Sequence, residues 1–245
     1  MKKLFLILLG VGALSVLAES TNLLTIDFEA PTYSEGEVAG QDGWVSIYGG
    51  VASIVNDAVQ AGEGEQFFDG TNNANHYKNF DISSEVETGQ KLKLGCLFRL
   101  GTGSNGNFKF QNRGTSGKNW GVEFIDLVFS PGGSVWFYGG DTAGGGKTWY
   151  TNGYSSGVWH QFYMVIDPAT RTIEAISIDD NVYDPETQGT MKYKPSGMEA
   201  GCGDLPDSVR FNGVGAIDNI TIEAVPEPAV FALLALIGLF AARKN

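Results

Sequence analysis

Apolar and polar residues alternate along much of the chain with a period of two. The clearest stretch is KLKLGCLFRL, residues 91–100, in which Leu92, Leu94, Cys96 and Phe98 are separated by mostly polar or small residues. A period of two places every second side chain on one side of an extended strand, so the pattern predicts half-buried β-strands. The same alternation recurs in residues 158–166 and, more weakly, in residues 24–28, 108–110 and 173–175.

Clusters of Gly, Asn, Asp and Ser separate the predicted strands, and apolar residues in the body never keep helical spacing over more than two turns. Asp167-Pro168-Ala169-Thr170 suits a type I turn that joins two strands. Many short strands with glycine-rich turns are typical of a sandwich or jelly roll. We therefore expect an all-β protein with a single jelly-roll β-sandwich over residues 19–224.

The N-terminus carries a different pattern. Lys2 and Lys3 precede an apolar run, and Val16 and Ala18 are small residues at its end. This order is that of a secretory signal peptide. We predict a signal peptide over residues 1–18, cut by signal peptidase after Ala18, and hence an exported protein.

The C-terminal segment, residues 225–245, contains a predicted apolar helix over residues 229–242. At this length the helix spans only about 21 Å, which is short for a bilayer core of about 30 Å. The segment resembles the PEP-CTERM sorting signal of bacterial envelope proteins, because its parts come in the same order: Pro226, Glu227 and Pro228, then the apolar helix, then Arg243 and Lys244.

This resemblance implies that an exosortase-type membrane peptidase recognises the tail, which anchors the protein in the membrane transiently. The protein is then released or transferred to the cell surface or extracellular matrix. A permanent anchor with one transmembrane helix is the alternative, because bilayer thinning and snorkelling absorb a short mismatch.

The sequence is acidic, with 28 Asp and Glu against 16 Lys and Arg and a formal net charge of −12. Such a charge repels phosphate backbones, so we do not expect a nucleic-acid partner. Neutral polymers such as polysaccharides, and divalent cations, remain compatible with it. Two cysteines, Cys96 and Cys202, could form a disulfide in an exported chain; two separate buried thiols are the alternative.

Residues 131–157 are rich in aromatic side chains and glycine. Aromatic faces stack on pyranose rings, and amide or carboxylate groups bind sugar hydroxyls. We therefore predict a carbohydrate-binding surface here, formed by Trp136, Tyr138, Trp149, Tyr154 and Asn152. The alternative interpretation is that the tryptophans belong to the core of the sandwich.

Asp218 alternates with Ile220 and Ile222, which predicts a carboxylate on an apolar strand face, where it is costly without a cation or hydrogen-bond donors. The hairpin GVWHQFYMVIDPATRTIEAISIDD resembles one in concanavalin A-like lectin and glucanase domains. The jelly-roll resemblance implies one structural Ca²⁺ where the first and last strands meet, with Glu29 and Asp218 as ligands. For Glu29 to act as a ligand, the chain must turn at Ala30-Pro31. The alternative to a calcium site is that Asp218 and Asn219 simply open a strand.

Glu123 and Asp126 invite comparison with the paired carboxylates of laminarinase-like glycoside hydrolases. They are three residues apart, which places them on opposite faces of a regular strand unless a bulge intervenes. We therefore assign no catalytic residue and predict that His160 is a hydrogen-bonded core or rim residue. The sequence favours a non-catalytic surface or matrix protein that binds carbohydrate or exopolysaccharide. Its alternatives are a polysaccharide hydrolase or lyase and a structural matrix protein without a ligand site.

Overall fold

The structure is a computed structural model that describes residues 20–70, 74–101, 105–112, 122–138, 146–150, 154–179, 181–183, 191–192, 205–213 and 215–225. Within these ranges the regular secondary structure is β-strand, and no helix is long and apolar enough to cross a membrane. The strands are β1 (Thr21–Ile26), β2 (Gly36–Glu37), β3 (Trp44–Tyr48), β4 (Ser53–Asn56), β5 (Gln66–Asp69), β6 (Asn75–Asn79), β7 (Lys91–Arg99), β8 (Gly106–Asn112), β9 (Val122–Phe129), β10 (Val135–Tyr138), β11 (Gly146–Tyr150), β12 (His160–Asp167), β13 (Thr172–Ile178), β14 (Asn181–Tyr183), β15 (Met191–Lys192), β16 (Ser208–Asn212) and β17 (Ala216–Val225).

The strands form two antiparallel sheets. A ten-stranded sheet has the order β14-β13-β12-β7-β17-β5-β4-β2, with β1 also paired to β17 and β15 to β13. A seven-stranded sheet has the order β11-β10-β9-β8-β16-β6-β3. Strands that are distant in sequence are neighbours in both sheets, and the prediction of an all-β jelly-roll sandwich is confirmed.

The core lies between the two sheets and is rich in aromatic rings. Trp44 of β3 stacks on Phe211 of β16 with ring centroids 5.6 Å apart, and Phe211 stacks on Phe108 of β8 at 5.1 Å. From the other sheet, Leu94 and Phe98 of β7 are fully buried, as the alternation in that strand predicts. The apolar positions therefore fix which side of each strand faces inward.

The predicted turn at Asp167 is confirmed. The Asp167 carboxylate Oδ1 accepts hydrogen bonds from the backbone N–H of Ala169 at 2.8 Å and of Thr170 at 3.3 Å. The turn joins β12 to β13, which pair along their length.

His160 opens β12 and is buried, as predicted. Its Nδ1 lies 2.7 Å from Asp179 Oδ2, and its Nε2 lies 2.9 Å from the Ser155 carbonyl oxygen. Both ring nitrogens are therefore held by neighbouring groups, and the imidazole has a structural role at the rim of the core.

Candidate binding surfaces

One candidate site lies under a loop that crosses the outer face of the ten-stranded sheet. We call residues 57–65 the strap; they connect β4 to β5. Gly62 lies so close to Leu97 and Trp159 that any side chain there would crowd both. The Gln60 carbonyl oxygen accepts a hydrogen bond from Trp159 Nε1 at 2.7 Å. The strap is thus held against the sheet at its middle.

Arg99 completes this attachment. Its Nη1 donates to the Gln60 carbonyl oxygen at 3.1 Å. Its guanidinium carbon lies 5.2 Å from the ring centroid of Phe67 and 5.1 Å from that of Trp159, within the range of cation–π attraction. These contacts connect the strap to β5, β7 and the start of β12.

A cleft of about 290 Å³ opens beside the strap, where the end of β1 meets β17. It is lined by Thr25, Asp27, Glu29, Glu63, Gly64, Asp218 and Asn219. We call it the strap cleft. Its lining residues are mostly acidic, so it could hold hydroxyl groups or a cation.

Glu29 reaches the strap because the chain turns after β1. Phe28 has a φ of 59°, in the left-handed region that non-glycine residues seldom adopt. Glu29 Oε1 then accepts hydrogen bonds from the backbone N–H of Glu65 at 2.8 Å and of Gln66 at 2.9 Å. The turn that Glu29 requires is present, but it begins at Phe28, before Ala30-Pro31.

Asp218 does not share a strand face with Ile220 and Ile222, so that premise of the sequence analysis was wrong. Asn219 has a φ of 43°, and the register of β17 against β7 shifts between Asp218 and Thr221. The resulting bulge pairs Asp218 with Leu97 and turns its carboxylate towards the strap, while the two isoleucines stay in the core. A one-residue bulge therefore undoes the simple alternation.

The Asp218 carboxylate is buried, with 1 % exposure, and is satisfied by backbone amides. Its Oδ2 accepts from Glu63 N at 2.9 Å, and its Oδ1 accepts from Asn219 N at 2.8 Å. Burial raises the pKa of Asp218 to about 7, and the nearby carboxylates of Glu29 and Glu63 act in the same direction. The group therefore exchanges a proton near neutral pH.

The predicted calcium ligands, Glu29 and Asp218, do line the same cleft. Across the described ranges, however, no group of three or more His, Cys, Asp or Glu side chains is arranged to hold a metal ion. Backbone N–H groups already compensate one oxygen of Glu29 and both oxygens of Asp218. A cation is not needed to explain the burial of Asp218, and calcium binding stays a prediction.

A second candidate site lies on the outer face of the seven-stranded sheet. Directly opposite residues on neighbouring strands share a face, and the register aligns one position from each of six strands. We call this line the asparagine row; in order from the β3 edge it consists of Tyr48, Asn75, Asn212, Asn107, Val128 and Trp136. Three asparagines thus lie between two aromatic positions.

The accessible part of the asparagine row is near the β3 edge. Tyr48 is 51 % exposed, and Asn212 and Asn107 are half-buried. Asn75, which lies between Tyr48 and Asn212, is fully buried. Sequence analysis missed these residues because they come from four distant segments. The one available signal is that asparagine is depleted in strands, and these three are strand residues.

A parallel line of positions on the same face carries charge. It runs Val45, Tyr77, Arg210, Lys109, Asp126 and Tyr138. Arg210 is 3 % and Lys109 is 8 % exposed. Arg210 Nε donates to Asn75 Oδ1 at 2.8 Å, which joins this charged line to the asparagine row.

The two carboxylate positions of β9 share this face, contrary to the expectation for a regular strand. The register of β8 against β9 shifts between Phe110 and Gln111, so that Gln111 pairs with Glu123 and Lys109 pairs with Asp126. Lys109 and Gln111 are two residues apart and therefore on one face. A bulge therefore intervenes between Glu123 and Asp126, which is the case in which the two positions were expected to share a face.

The predicted aromatic surface is placed in part. Trp136 and Tyr138 are positions of β10, and Trp149 is a position of β11, at one edge of the seven-stranded sheet. Asn152 lies outside the described residues. Tyr154 is 8 % exposed, packs on Phe98, and donates its hydroxyl to Ser130 O at 2.5 Å. Its ring is therefore covered and not available for stacking on a sugar.

The remaining predicted sites are only partly described. Cys96 is buried, and burial raises the pKa of its thiol. Its predicted partner, Cys202, lies outside the described residues, so the disulfide stays a prediction. The same holds for the signal-peptide residues, including Ala18, and for the sorting residues Pro226 to Pro228, Arg243 and Lys244.

Comparisons with known proteins support the fold. No protein-family model and no curated protein sequence matches the chain. A carbohydrate esterase from the Shiga toxin-encoding bacteriophage phi24B is similar in structure, with a TM-score of 0.52 and 14 % identity over 85 % of this chain and 100 % of that one. This likeness shows the fold alone.

Two further solved structures have lower scores. The xylan-binding domain CBM22-1 of Paenibacillus barcinonensis Xyn10C has a TM-score of 0.39 and 14 % identity, covering 86 % of this chain and 99 % of that one. An endo-β-1,4-glucuronan lyase from Trichoderma reesei has a TM-score of 0.45 and 15 % identity, covering 82 % of this chain and 95 % of that one.

Proposed function

We propose that this protein is an exported cell-surface or extracellular-matrix protein that binds carbohydrate without catalysis, through the outer face of the seven-stranded sheet. The observation that carries the proposal is the asparagine row, with an exposed tyrosine at one end and a tryptophan position at the other. Aromatic faces stack on sugar rings, and amides both donate to and accept from hydroxyl groups.

The geometry of the row suits an extended polymer better than a single sugar. Its positions come from adjacent strands, which lie about 4.8 Å apart, a spacing comparable with the length of one hexose unit. A chain lying across the strands would meet the accessible side chains Tyr48, Asn212 and Asn107, whereas Asn75 and Val128 are buried. Because the row is built on paired strands rather than on loops, its side chains keep their spacing.

The aromatic positions predicted from sequence extend this surface. Trp136 ends the asparagine row, and Tyr138 ends the parallel charged line beside it. Trp149 belongs to β11, which pairs with β10. These positions support a binding surface that continues towards the β11 edge, whereas the buried Tyr154 is left out of it.

Export and sorting are part of the proposal and rest on the sequence. We propose that signal peptidase cuts after Ala18 and that an exosortase-type peptidase acts at the segment beginning Pro226-Glu227-Pro228. The intact mass of protein recovered from the culture medium tests both cleavages together. A mass that retains residues 226–245 in a membrane fraction would support the permanent anchor instead.

The binding proposal is tested by paired tyrosine variants. Tyr48→Ala removes the exposed end of the asparagine row, and Asn212→Ala removes a half-buried amide. Tyr163→Ala is the control, because it removes a tyrosine ring from the outer face of the ten-stranded sheet, where Tyr163 is half-buried. We expect Tyr48→Ala and Asn212→Ala to weaken retention on immobilised polysaccharide by about tenfold. Equal retention by all three variants would refute the proposed surface.

One observation favours a second candidate function, a polysaccharide hydrolase or lyase. The bulge in β9 pairs the positions of Glu123 and Asp126 with those of Gln111 and Lys109, and glycoside hydrolysis uses a pair of carboxyl groups that flank the scissile bond. Release of oligosaccharides from a bound polymer, lost in both Glu123→Gln and Asp126→Asn, would establish catalysis. Binding without any release supports the non-catalytic function.

A further inference from the structure

The residues of the asparagine row that solvent can reach are uncharged, and this limits the charge that a ligand can carry. We infer that the ligand is an uncharged polysaccharide, recognised through amide groups and aromatic faces rather than through ionic contacts. The inference rests on the proposed function, because it concerns the same surface.

The two cations on this face are engaged within the protein. Arg210 and Lys109 are both more than nine-tenths buried, and both take part in interactions inside the chain. Arg210 donates its Nε to Asn75, and Lys109 is paired in register with the carboxylate position Asp126. They therefore balance internal groups and are not displayed for a carboxylate or sulfate of the ligand.

Arg210 acts on Asn75 as a positioning residue. By donating to Oδ1 at 2.8 Å, it fixes the carbonyl end of the amide. The other end, Nδ2, has no hydrogen-bond partner among the described residues, although Asn75 is fully buried. An unmet buried donor is costly, and it lies in the row between Tyr48 and Asn212. We assign it to a sugar oxygen; because Asn75 is fully buried, binding then requires a neighbouring side chain of the row to move.

The remaining amides suit hydroxyl groups better than they suit anions. The half-buried Asn212 has a carbonyl acceptor as well as an amide donor, and a hydroxyl group can use both. A carboxylate or sulfate can only accept, so it would leave the carbonyl oxygens facing negative charge. The formal net charge of −12 also repels a polyanion as it approaches.

The test compares binding of the full chain to neutral and anionic polysaccharides at low and high salt. The neutral panel is glucan, xylan and mannan, and the anionic panel is a polyuronate and a sulfated polymer. We expect binding to at least one neutral polymer, with an affinity that changes less than about twofold with salt. We expect each anionic polymer to bind at least about tenfold more weakly.

Salt-sensitive binding that favours an anionic polymer would overturn the inference and leave the proposed function intact. Absence of binding to every polymer would instead count against the proposed function itself. The Asn75→Asp variant gives a second test, because it keeps an oxygen for Arg210 and replaces the Nδ2 donor with a carboxylate oxygen, which can only accept hydrogen bonds. The added negative charge faces the Arg210 guanidinium. We expect it to fold and to lose about tenfold in affinity for the neutral polymer. Unchanged affinity in a folded Asn75→Asp variant would contradict the role given to Nδ2.

Discussion

The strap cleft and the asparagine row both place polar side chains on the outer face of a sheet, but they satisfy them in different ways. In the cleft, Glu29 and Asp218 accept hydrogen bonds from four backbone amides of the strap and of its neighbours. In the row, the Asn75 side chain accepts a hydrogen bond from another side chain, that of Arg210. Its Nδ2 lacks a partner in the described part of the chain.

This difference separates structure from recognition. Carboxylates bound to backbone amides hold a loop in place, and a ligand would have to displace those bonds. The Asn75 amide is oriented by the hydrogen bond to its oxygen, while its N–H donors remain available to a ligand. We therefore expect substitutions in the cleft to change stability, and substitutions in the row to change binding.

The largest effect on stability should come from Glu29→Ala. It removes the acceptor of two backbone amides of the strap and of β5, and we expect a loss of about 3 kcal/mol in the free energy of unfolding. Urea unfolding measures it, with Glu87→Ala at an exposed position as the control. A loss no greater than that of the control would mean that Glu29 does not hold the strap.

A somewhat smaller loss, about 2 kcal/mol, is expected for Gly64→Ala. Gly64 has a φ of 67°, and a Cβ there would collide with the Glu29 carboxylate. Because both substitutions break the same contact, their effects should not add in the double variant Glu29→Ala/Gly64→Ala. Full additivity in a double-mutant cycle would show that the two residues act independently.

The pH dependence of stability tests the protonation of Asp218. Its pKa in the folded protein is about 7, above the ordinary value of 3.8, so the folded state binds the proton more tightly than the unfolded state. The stabilisation is complete below about pH 4 and is lost as the pH rises through 7. We expect the free energy of unfolding to fall by about 1 kcal/mol between pH 6 and pH 7 from this group.

Asp218→Asn should flatten that part of the pH profile. Repeating the measurement with calcium and with a chelator tests the predicted metal site, because a bound cation would favour the ionised carboxylate. If backbone N–H groups alone compensate the two carboxylates, calcium leaves the free energy of unfolding unchanged. Stability that rises with pH in calcium, and only in calcium, would establish Glu29 and Asp218 as ligands.

The smallest effect on stability is expected in the asparagine row. Asn212→Ala and Tyr48→Ala should each change the free energy of unfolding by no more than about 0.5 kcal/mol, because neither side chain belongs to the core. The same variants should bind carbohydrate more weakly. Thermal unfolding and a retention assay on the same variants check both. A large loss of stability would show that these residues have a structural role, as the strap residues do, rather than a binding role.

Sequence periodicity was enough to predict the sandwich, the strand at residues 91–100 and the turn at Asp167, because each depends on local alternation or local turn chemistry. It failed at Asp218, where one extra residue in β17 moves the side chain to the other face. At Glu123 it left the pairing open, and the bulge in β9 decides it. A bulge depends on how the partner strand pairs, which local periodicity does not reveal.

The candidate site was harder to predict than the fold. The aromatic segment was visible because its residues are close in sequence, whereas Tyr48, Asn75, Asn107 and Asn212 are brought together only by the strand order β8-β16-β6-β3. That order joins strands from both ends of the chain. A site assembled across such a sheet has no local motif.

Hydrogen exchange in the presence of polysaccharide tests the central claim most directly. The account predicts that a bound polymer slows exchange in β3, β6, β8 and β16 while exchange in the strap stays unchanged. Slowed exchange in residues 57–65, with none in those four strands, would contradict it and move the binding site to the strap cleft.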